Sequence, residues 1–271
     1  KIIKLSRVAI LNSFMVFLTY LLWVSCTFAS VPKKLTDLGT VVPDANREWT
    51  LMVYLDGDND LERFALLDLN EMEDGMPEKG VTVVALVDRA AGYDDSFGDW
   101  QGARVYRLVS DKNPQKLASE EIADIGEINM GDPAVLTAFI SATAKKYPAR
   151  HYGVILWDHG GGWSLMAIDH NAPGAEKEID SLNLPEVRYG IQQALTKMGQ
   201  KKLDLIGFDM CLMAQVETAY ELSDVAHLMV ASQAVEPGDG WPYDLFLPMF
   251  GRGTAGGGRR LATNIVKAYE D

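Results

Sequence analysis

The chain has 271 residues, an apolar fraction of 48%, 24 glycines and a formal net charge of -13 at pH 7. This composition excludes a disordered or fibrous protein, and the length allows one large α/β domain or two small ones. A surface this acidic repels nucleic acid and anionic membranes, and it favours basic peptides or divalent cations as partners. We therefore expect no nucleic-acid partner.

The first 29 residues predict an export signal. Three basic residues precede an uncharged run over residues 8–29, and small residues at positions 27 and 29 suit cleavage before Ser30. Two alternatives remain: a retained anchor, because the uncharged run is long enough to cross a bilayer, and lipidation at Cys26. All three predict an exported chain that is secreted, periplasmic or attached to the cell surface, and that meets the membrane only through this segment.

Residues 30–48 contain two prolines and a glycine and predict a linker, and residues 49–271 predict one folded domain. The chain begins without Met and ends within a helical pattern, so we expect it to be truncated, at the C-terminus in particular.

From Trp49 onward, buried apolar runs alternate with helical patterns. We predict strands over 50–55, 81–87, 103–109, 152–157, 203–208 and 228–232, and helices over 61–72, 132–146, 184–198 and 212–222. Asp132 and Pro133 mark a helix start, with the acid at the cap and proline in the first turn. The alternation predicts an α/β fold with a mainly parallel central sheet covered on both faces.

The acidic run from Asp56 to Asp60 invites a calcium interpretation. The EF-hand loop requires Gly at its sixth position and Glu at its twelfth, where this chain has Leu61 and Leu67. We predict instead that the run turns the chain out of the first strand and caps the next helix. A looser cation site remains an alternative because several oxygen ligands are close together. The metal is left unassigned.

Two predicted strands end in reactive side chains. His159 follows the strand over 152–157 and precedes three glycines, and Cys211 follows the strand over 203–208. Ligands bind at the carboxyl ends of strands in open α/β sheets. We predict one active site, with Cys211 as nucleophile and His159 as general base. The alternatives are a buried structural cysteine and a structural histidine.

Neighbouring residues support this site. The N–H of Gly160 is a candidate oxyanion donor, and the helix predicted after Cys211 would favour a thiolate through its dipole. Asp209 lies two residues before Cys211 on the same side of an extended chain. We predict that it directs its charge at the substrate, with a helix N-cap as the alternative. Asp158 would point to the opposite side from His159, so we give it no catalytic role.

These residues resemble the clostripain family of cysteine peptidases, which are relatives of caspases, legumains and gingipains. The resemblance rests on segments 49–61, 129–132, 152–163, 209–214 and 236–243. It implies a caspase-like three-layer α/β/α sandwich and hydrolysis of peptide bonds after Arg or Lys by a dyad of His159 and Cys211. It also implies acids in the specificity pocket, which Asp209 and Asp239 match.

The resemblance further implies a chemistry that needs no cofactor, calcium as an activator, and self-cleavage between the His and Cys strands. Lys177 is the one basic residue in the connection before the next helix, so we predict processing there, with an uncleaved surface loop as the alternative. The predicted partners are peptides or proteins with basic residues. The competing function is a non-catalytic, surface-attached binding module that keeps the fold.

Overall fold

The structure is a computed structural model, and it describes residues 31–175, 178–252 and 257–270. The predicted signal segment with Cys26, and the predicted processing residue Lys177, lie outside the described residues. Within the described ranges, no helix is both long enough and apolar enough to cross a membrane.

The strands lie, in chain order, at β1 (Trp49–Gly57), β2 (Val81–Arg89), β3 (Ala103–Arg107), β4 (Glu120–Gly126), β5 (His151–Trp157), β6 (Met166–Asp169), β7 (Asp180–Leu182), β8 (Leu205–Asp209) and β9 (Met229–Val230). Seven of them form one sheet in the order β4-β3-β2-β1-β5-β8-β9. Five neighbouring strands run parallel to one another: β2, β1, β5, β8 and β9. At one edge, β3 pairs antiparallel with β2, and β4 pairs antiparallel with β3. β6 and β7 form a separate antiparallel pair.

The helices are α1 (Lys33–Thr36), α2 (Glu62–Gly75), α3 (Pro133–Lys146), α4 (Leu184–Met198), α5 (Val216–Leu222), α6 (Tyr243–Phe246) and α7 (Gly257–Glu270). One core lies under α3 and α4, with Phe139 and Ile191 buried in it. A second core on the other face of the sheet contains Leu69 of α2 and Ile265 of α7. The predicted mainly parallel sheet between two helical layers is confirmed.

The position of β1 between the two cores explains why its sequence is apolar almost throughout. Met52 and Tyr54 of β1 belong to one core, and Leu51 and Val53 belong to the other. A strand that is buried on both faces has no polar side, so its residues read as a continuous apolar run.

Several predicted elements differ from the structure. Strand β4, which lies outside β3 at the sheet edge, was not predicted, because all but one of its residues are exposed or half-buried and it begins with two glutamates. The helix predicted from residue 212 begins at Val216, because residues 211 and 212 form a turn in which Leu212 has a φ of 62°, and residues 213–215 are irregular. Part of the predicted linker packs on the domain, since Leu35 and Leu38 are buried in the core.

Two predicted helix starts have different outcomes. Asp132 caps α3 as predicted, and its carboxylate accepts a hydrogen bond from the Ala134 N–H at 2.7 Å. The acidic run before α2 does turn the chain, because Asn59 Oδ1 accepts from the Leu61 N–H at 2.8 Å. The prediction that this run caps the helix is wrong: α2 has Leu61 at its N-cap and no side-chain cap bond.

Candidate active site

The strand register places His159 and Cys211 side by side. β5 and β8 are adjacent parallel strands, and Trp157 of β5 pairs with Asp209 of β8. His159 and Cys211 each lie two residues beyond this pair. The hydrogen bond from the Asp158 N–H to the Asp209 carbonyl at 3.4 Å continues the pairing toward them. Because adjacent strands are about 4.8 Å apart, the two residues leave the sheet as neighbours.

Cys211 is half-buried, and a second segment fixes its position. The Glu236 N–H donates to the Cys211 Sγ at 3.3 Å. The chain after the cysteine is tied to the same segment, because the Leu212 N–H donates to the Ala234 carbonyl at 3.0 Å. The prediction that a helix dipole acts on the sulfur is wrong, since α5 begins at Val216. A backbone segment that follows β9, and not a helix end, surrounds the thiol.

The His159 ring is oriented by Asp60, which was not predicted to contact it. His159 Nε2 lies 2.9 Å from Asp60 Oδ1, and the side chain of His159 is 36% exposed. The hydrogen bond with His159 holds the pKa of Asp60 below its ordinary value. Because Nε2 is engaged by Asp60, Nδ1 remains for a reacting group.

Gly160 is packed against the backbone of Cys211. A Cβ placed on Gly160 would lie 2.9 Å from the Met210 Cβ and 3.1 Å from the Cys211 nitrogen, and it would also overlap the Cys211 carbonyl oxygen. Contacts this short leave no room for a side chain. The glycine that follows His159 therefore sets how closely the two strand ends approach each other.

Two backbone donors remain available at this point. Among the described residues, neither the Gly160 N–H nor the Cys211 N–H donates a hydrogen bond to another group. Backbone N–H groups without a partner beside a nucleophile are the kind of donors that stabilise an oxyanion.

We predict that Gly160→Ala lowers kcat/KM at least about 100-fold, since displacement of a catalytic group by about 1 Å has an effect of this size. The added methyl group must push the His159 loop away from Cys211. The measurement is peptide hydrolysis by folded protein, with the melting temperature recorded alongside. Gly161→Ala is the matched control, because the nearest atom to its Cβ would be the Leu165 Cβ at 3.3 Å, and the nearest backbone atom would be the Leu165 oxygen at 3.6 Å. Equal activity of the two variants would contradict the prediction.

Asp209 is buried beneath the segment that follows β9. Its Oδ2 accepts hydrogen bonds from the Tyr243 hydroxyl at 2.9 Å and from the Trp241 N–H at 3.2 Å. Burial raises the pKa of Asp209 to about 6, and burial together with the charge of Asp209 raises the pKa of Glu236 to about 8. Near neutral pH the two carboxyl groups therefore share about one proton. The N-cap alternative for Asp209 is wrong, because α5 begins at Val216 and Gln215 occupies its N-cap position.

Asp239 lies on the same segment and is exposed. Its charge and that of Asp209 both raise the pKa of Asp68, after the larger effect of burial. They have the same effect on Glu71, where burial is again the main cause and the pKa reaches about 7. In the part of the chain that the structure describes, no Lys or Arg forms an ion pair with these carboxylates or with Glu236.

Gly240 covers this acidic cluster without filling it. A Cβ on Gly240 would lie 2.8 Å from Asp68 Oδ2 and 3.1 Å from Asp209 Oδ1, and the residue has a φ of 59°. A glycine at this position keeps the space above the two carboxylates free of a side chain. The cluster could neutralise a cationic group that reaches it.

Asp60 and Asp68 were not predicted as members of the site, and Glu236 was noted only as part of segment 236–243. Like His159, Asp60 follows a predicted strand, but its contact with His159 depends on β1 lying beside β5, where Leu55 pairs with Trp157. Asp68 had no comparable signal, because it lies on a helix.

The fold and the site together define a class of protein. It is a caspase-like α/β protein with an imidazole and a thiol at the ends of two adjacent parallel strands. The model of the clostripain family matches residues 53–271. The chain belongs to this family.

Relatives agree with this assignment. The chain is 33% identical over 242 residues to clostripain of Hathewaya histolytica, covering 79% of this chain and 43% of that protein. A secreted cysteine protease of Bacteroides thetaiotaomicron, solved with an irreversible peptide inhibitor, is 28% identical with a TM-score of 0.63. This match covers 82% of our chain and 58% of that one.

An inactive zymogen protease of Parabacteroides distasonis shares the fold. It has a TM-score of 0.59 and 20% identity, and the match covers 84% of this chain and 60% of that one. The chain thus spans less than half the length of clostripain and about three fifths of the two solved relatives.

Proposed function

We propose that the chain is a cysteine endopeptidase that hydrolyses peptide bonds after Arg or Lys, with residues 49–271 as its peptidase domain. The proposal rests on the positions of His159 and Cys211. They lie side by side, each two residues beyond the paired strand residues Trp157 and Asp209. Membership of the clostripain family supports the reaction class. The peptide inhibitor bound to the B. thetaiotaomicron relative supports a peptide as the substrate.

The proposed reaction is acyl transfer. His159 takes the thiol proton as the Cys211 Sγ attacks the scissile carbonyl carbon, and the N–H groups of Gly160 and Cys211 stabilise the resulting oxyanion. His159 protonates the leaving amine, so the C–N bond breaks and a thioester remains on Cys211. His159 then removes a proton from water, and the hydroxide releases the carboxylic acid and regenerates the thiol. Asp60 holds the His159 ring in place through this cycle.

The acidic cluster supports the preference for Arg or Lys. Asp68, Asp209 and Glu236 are brought together without a cation among the described residues, which is costly for buried carboxylates. A guanidinium or ammonium group of the substrate would supply the missing positive charge through charge-assisted hydrogen bonds. We assign Asp209 as the principal acid and the exposed Asp239 as a weaker second.

Three finer features belong to the same proposal. Export rests on the basic and apolar N-terminal pattern, and the B. thetaiotaomicron relative is described as secreted. Self-processing at Lys177 rests on its place in the connection between the His and Cys strands. Activation by calcium rests on the carboxylates of Asp58, Glu127 and Asp169, whose oxygens lie within 4.8 Å of one another.

A panel of four fluorogenic peptides that end in Arg, Lys, Asp or Ala tests the proposal, with wild type and Cys211→Ala, and with and without calcium. We expect wild type to cleave after Arg or Lys, and the variant to lose at least about 1,000-fold in kcat/KM because it lacks the nucleophile. Mass spectrometry of the same samples should find a chain cut at Lys177 in wild type alone.

The control for folding is the melting temperature of Cys211→Ala, which should match that of wild type. Cleavage that persists in the folded variant would overturn the assignment of Cys211. A folded wild type that cleaves none of the peptides, with a thiol that reacts readily with iodoacetamide, would favour the binding module.

A further inference from the structure

A cleft opens at the end of the sheet opposite the active site, where β1 and β2 begin. It has a volume of about 960 Å³, which is within the usual range of ligand sites. Four parts of the chain line it: the segment before β1, the residues between α2 and β2, the end of β3 with the start of β4, and the end of α3. We call it the basal cleft. It is separate from the proposed peptidase site, since His159 and Cys211 lie beyond the other ends of the strands.

The basal cleft carries positive charge on a chain whose net charge is -13. Its lining includes four cationic side chains, namely Arg47, Lys79, Arg107 and Lys146. In the part of the chain that the structure describes, only Arg107 among them forms an ion pair, with Glu120. The other two acids of the lining, Asp44 and Glu78, are exposed. Three cations of the cleft thus have no ion pair.

Arg47 is the buried cation of the cleft, with only 6% of its surface exposed. Three of its five N–H groups have partners. Its Nε donates to the Thr82 hydroxyl at 2.8 Å, and its Nη1 donates to the carbonyls of Val42 at 2.9 Å and Pro148 at 3.2 Å. Its Nη2 donates to none of the described residues and is still reached by solvent. Because the rest of the side chain is buried, these two N–H groups face the cleft that Arg47 lines.

Tyr147 provides a second donor at the same place. The residue is buried, and its hydroxyl donates to no group among the described residues, although solvent reaches the oxygen. The guanidinium carbon of Arg47 lies 5.3 Å from the centre of the Tyr147 ring, and the Lys146 Nζ lies 5.7 Å from it. Burial raises the pKa of Tyr147, so the hydroxyl keeps its proton and can donate. One hydroxyl and two cations are therefore grouped around this ring.

A second buried arginine shows what Arg47 lacks. Arg47 and Arg89 are the two buried arginines of the described residues. Arg89 Nε lies 2.6 Å from a carboxylate oxygen of Glu62, so its charge is neutralised inside the domain. Arg47 has only neutral partners, which leaves a buried charge without an opposite charge. A ligand that carries a negative charge would supply what the fold does not.

We propose that the basal cleft binds a carboxylate group, held by the Nη2 of Arg47 and the hydroxyl of Tyr147. Lys146 adds a positive charge beside them. Hydrogen bonds between a guanidinium and a carboxylate are charge-assisted, and the planar shapes of the two groups match. The site lies apart from the proposed acidic specificity cluster and takes a group of the opposite charge.

The acids of the lining favour a carboxylate over phosphate. Asp44 and Glu78 have no ion pair within the described ranges, and both line the cleft. Like charges repel, so the second negative charge of a phosphate dianion is disfavoured beside them. Two sources offer a single carboxylate: an acidic side chain of a polypeptide and a small organic acid.

The test uses the Cys211→Ala chain, which can cleave neither peptides nor itself. The probe is the peptide acetyl-Ala-Glu-Ala-amide, and its Gln counterpart is the uncharged control of the same shape. We expect the Glu peptide at about 20 mM to raise the melting temperature by about 3 °C or more, the effect of a ligand near 10-fold its Kd. The Gln peptide, in sodium chloride of equal ionic strength, should give no shift. Calorimetric titration should give a stoichiometry of one.

Tyr147→Phe in this background isolates the site, because it removes a hydroxyl without a partner among the described residues and keeps the ring beneath both cations. We expect the melting temperature without ligand to be unchanged and the Kd of the Glu peptide to rise about 10-fold, since a hydrogen bond to a charged group is lost. Tyr93→Phe is the matched control, the same change at an exposed residue in the loop after β2. It should bind the peptide as the parent does.

Lys79→Gln tests the contribution of charge at an exposed position of the lining. We expect binding of the Glu peptide to weaken only a few-fold, because solvent and salt screen this charge. Lys201→Gln removes an exposed lysine in the chain after α4 and should leave binding unchanged.

Equal shifts with the Glu and Gln peptides would overturn the proposal, as would equal affinities of Tyr147→Phe and Tyr93→Phe. Tighter binding of inorganic phosphate than of the Glu peptide would overturn the choice of a carboxylate. Sodium propionate separates the two sources. A smaller shift than with the Glu peptide supports an acidic side chain as the ligand, and an equal or larger shift supports a free acid. Because this chain carries no nucleophile, the results are independent of whether the wild type is a peptidase.

Discussion

Replacing His159 with alanine is expected to lower kcat/KM for the best Arg or Lys peptide about 1,000-fold or more. The imidazole is the one group placed level with Cys211 that can carry protons both to the leaving amine and from water. General acid–base catalysis contributes about 100-fold to 10,000-fold, and loss of a group that activates a nucleophile lies at the upper end. KM should change little, because His159 does not contact the acidic cluster.

The matched control is His227→Ala, which removes an exposed imidazole in the loop before β9. Both variants should be assayed by steady-state hydrolysis with active-site titration of the thiol. A loss below about 10-fold for His159→Ala, or an equal loss for His227→Ala, would exclude His159 as the general acid and base.

Asp60→Asn is expected to lower activity less than His159→Ala does in the same assay. Asp60→Asn keeps a hydrogen-bonding side chain beside His159 Nε2 but removes the charge that stabilises an imidazolium. We expect a loss of about 10-fold, smaller than that of His159→Ala because Asp60 is 62% exposed and solvent screens its charge. The loss should fall on kcat and leave KM unchanged. A change in KM alone would mean that Asp60 contacts substrate and does not position the histidine.

Elements whose bounds are set by residues close to them in the chain could be predicted from the sequence. Helix α4 has the predicted bounds, Leu184–Met198, because Asn183 and Glu186 form a capping box and Gly199 ends the helix in a left-handed conformation. The placement of His159 and Cys211 at the ends of strands also follows from local apolar runs. Their level register does not, because it depends on which strands become neighbours.

The remaining features depend on contacts between distant segments. Asp209 was predicted to face substrate, and its sequence neighbours do not reveal that Tyr243 and Glu236 would share its carboxylate. The turn at Leu212 replaces an expected helix start because backbone bonds to the segment before Glu236 fix it instead. Apolar periodicity continues through this turn, so the predicted helix starts at residue 212, four residues before the observed start at Val216.

Asp209→Asn is expected to reduce kcat/KM for Arg and Lys peptides by about 30-fold to 4,000-fold. Asp209 is buried, and losing one partner of a buried charge pair costs about 2–5 kcal/mol, at about 1.4 kcal/mol for each tenfold. The amide keeps the size of the side chain and the hydrogen bond from Tyr243. Alkylation of Cys211 by a small reagent should be unaffected. Asp239→Asn, at an exposed position, should cost only a few-fold.

The pH dependence of kcat/KM separates recognition of the substrate's positive charge from other effects of Asp209→Asn. The informative quantity is the ratio of kcat/KM for an Arg peptide to that for its uncharged citrulline analogue, because ionisations of the catalytic groups cancel in it. Burial raises the pKa of Asp209 to about 6, so the carboxyl is protonated below that pH and cannot hold a cation. The ratio should therefore rise as the pH increases through about 6, and Asp209→Asn should lack this step. If the variant keeps the wild-type ratio at every pH, the cation binds elsewhere and Asp209 serves only to hold Trp241 and Tyr243 in place.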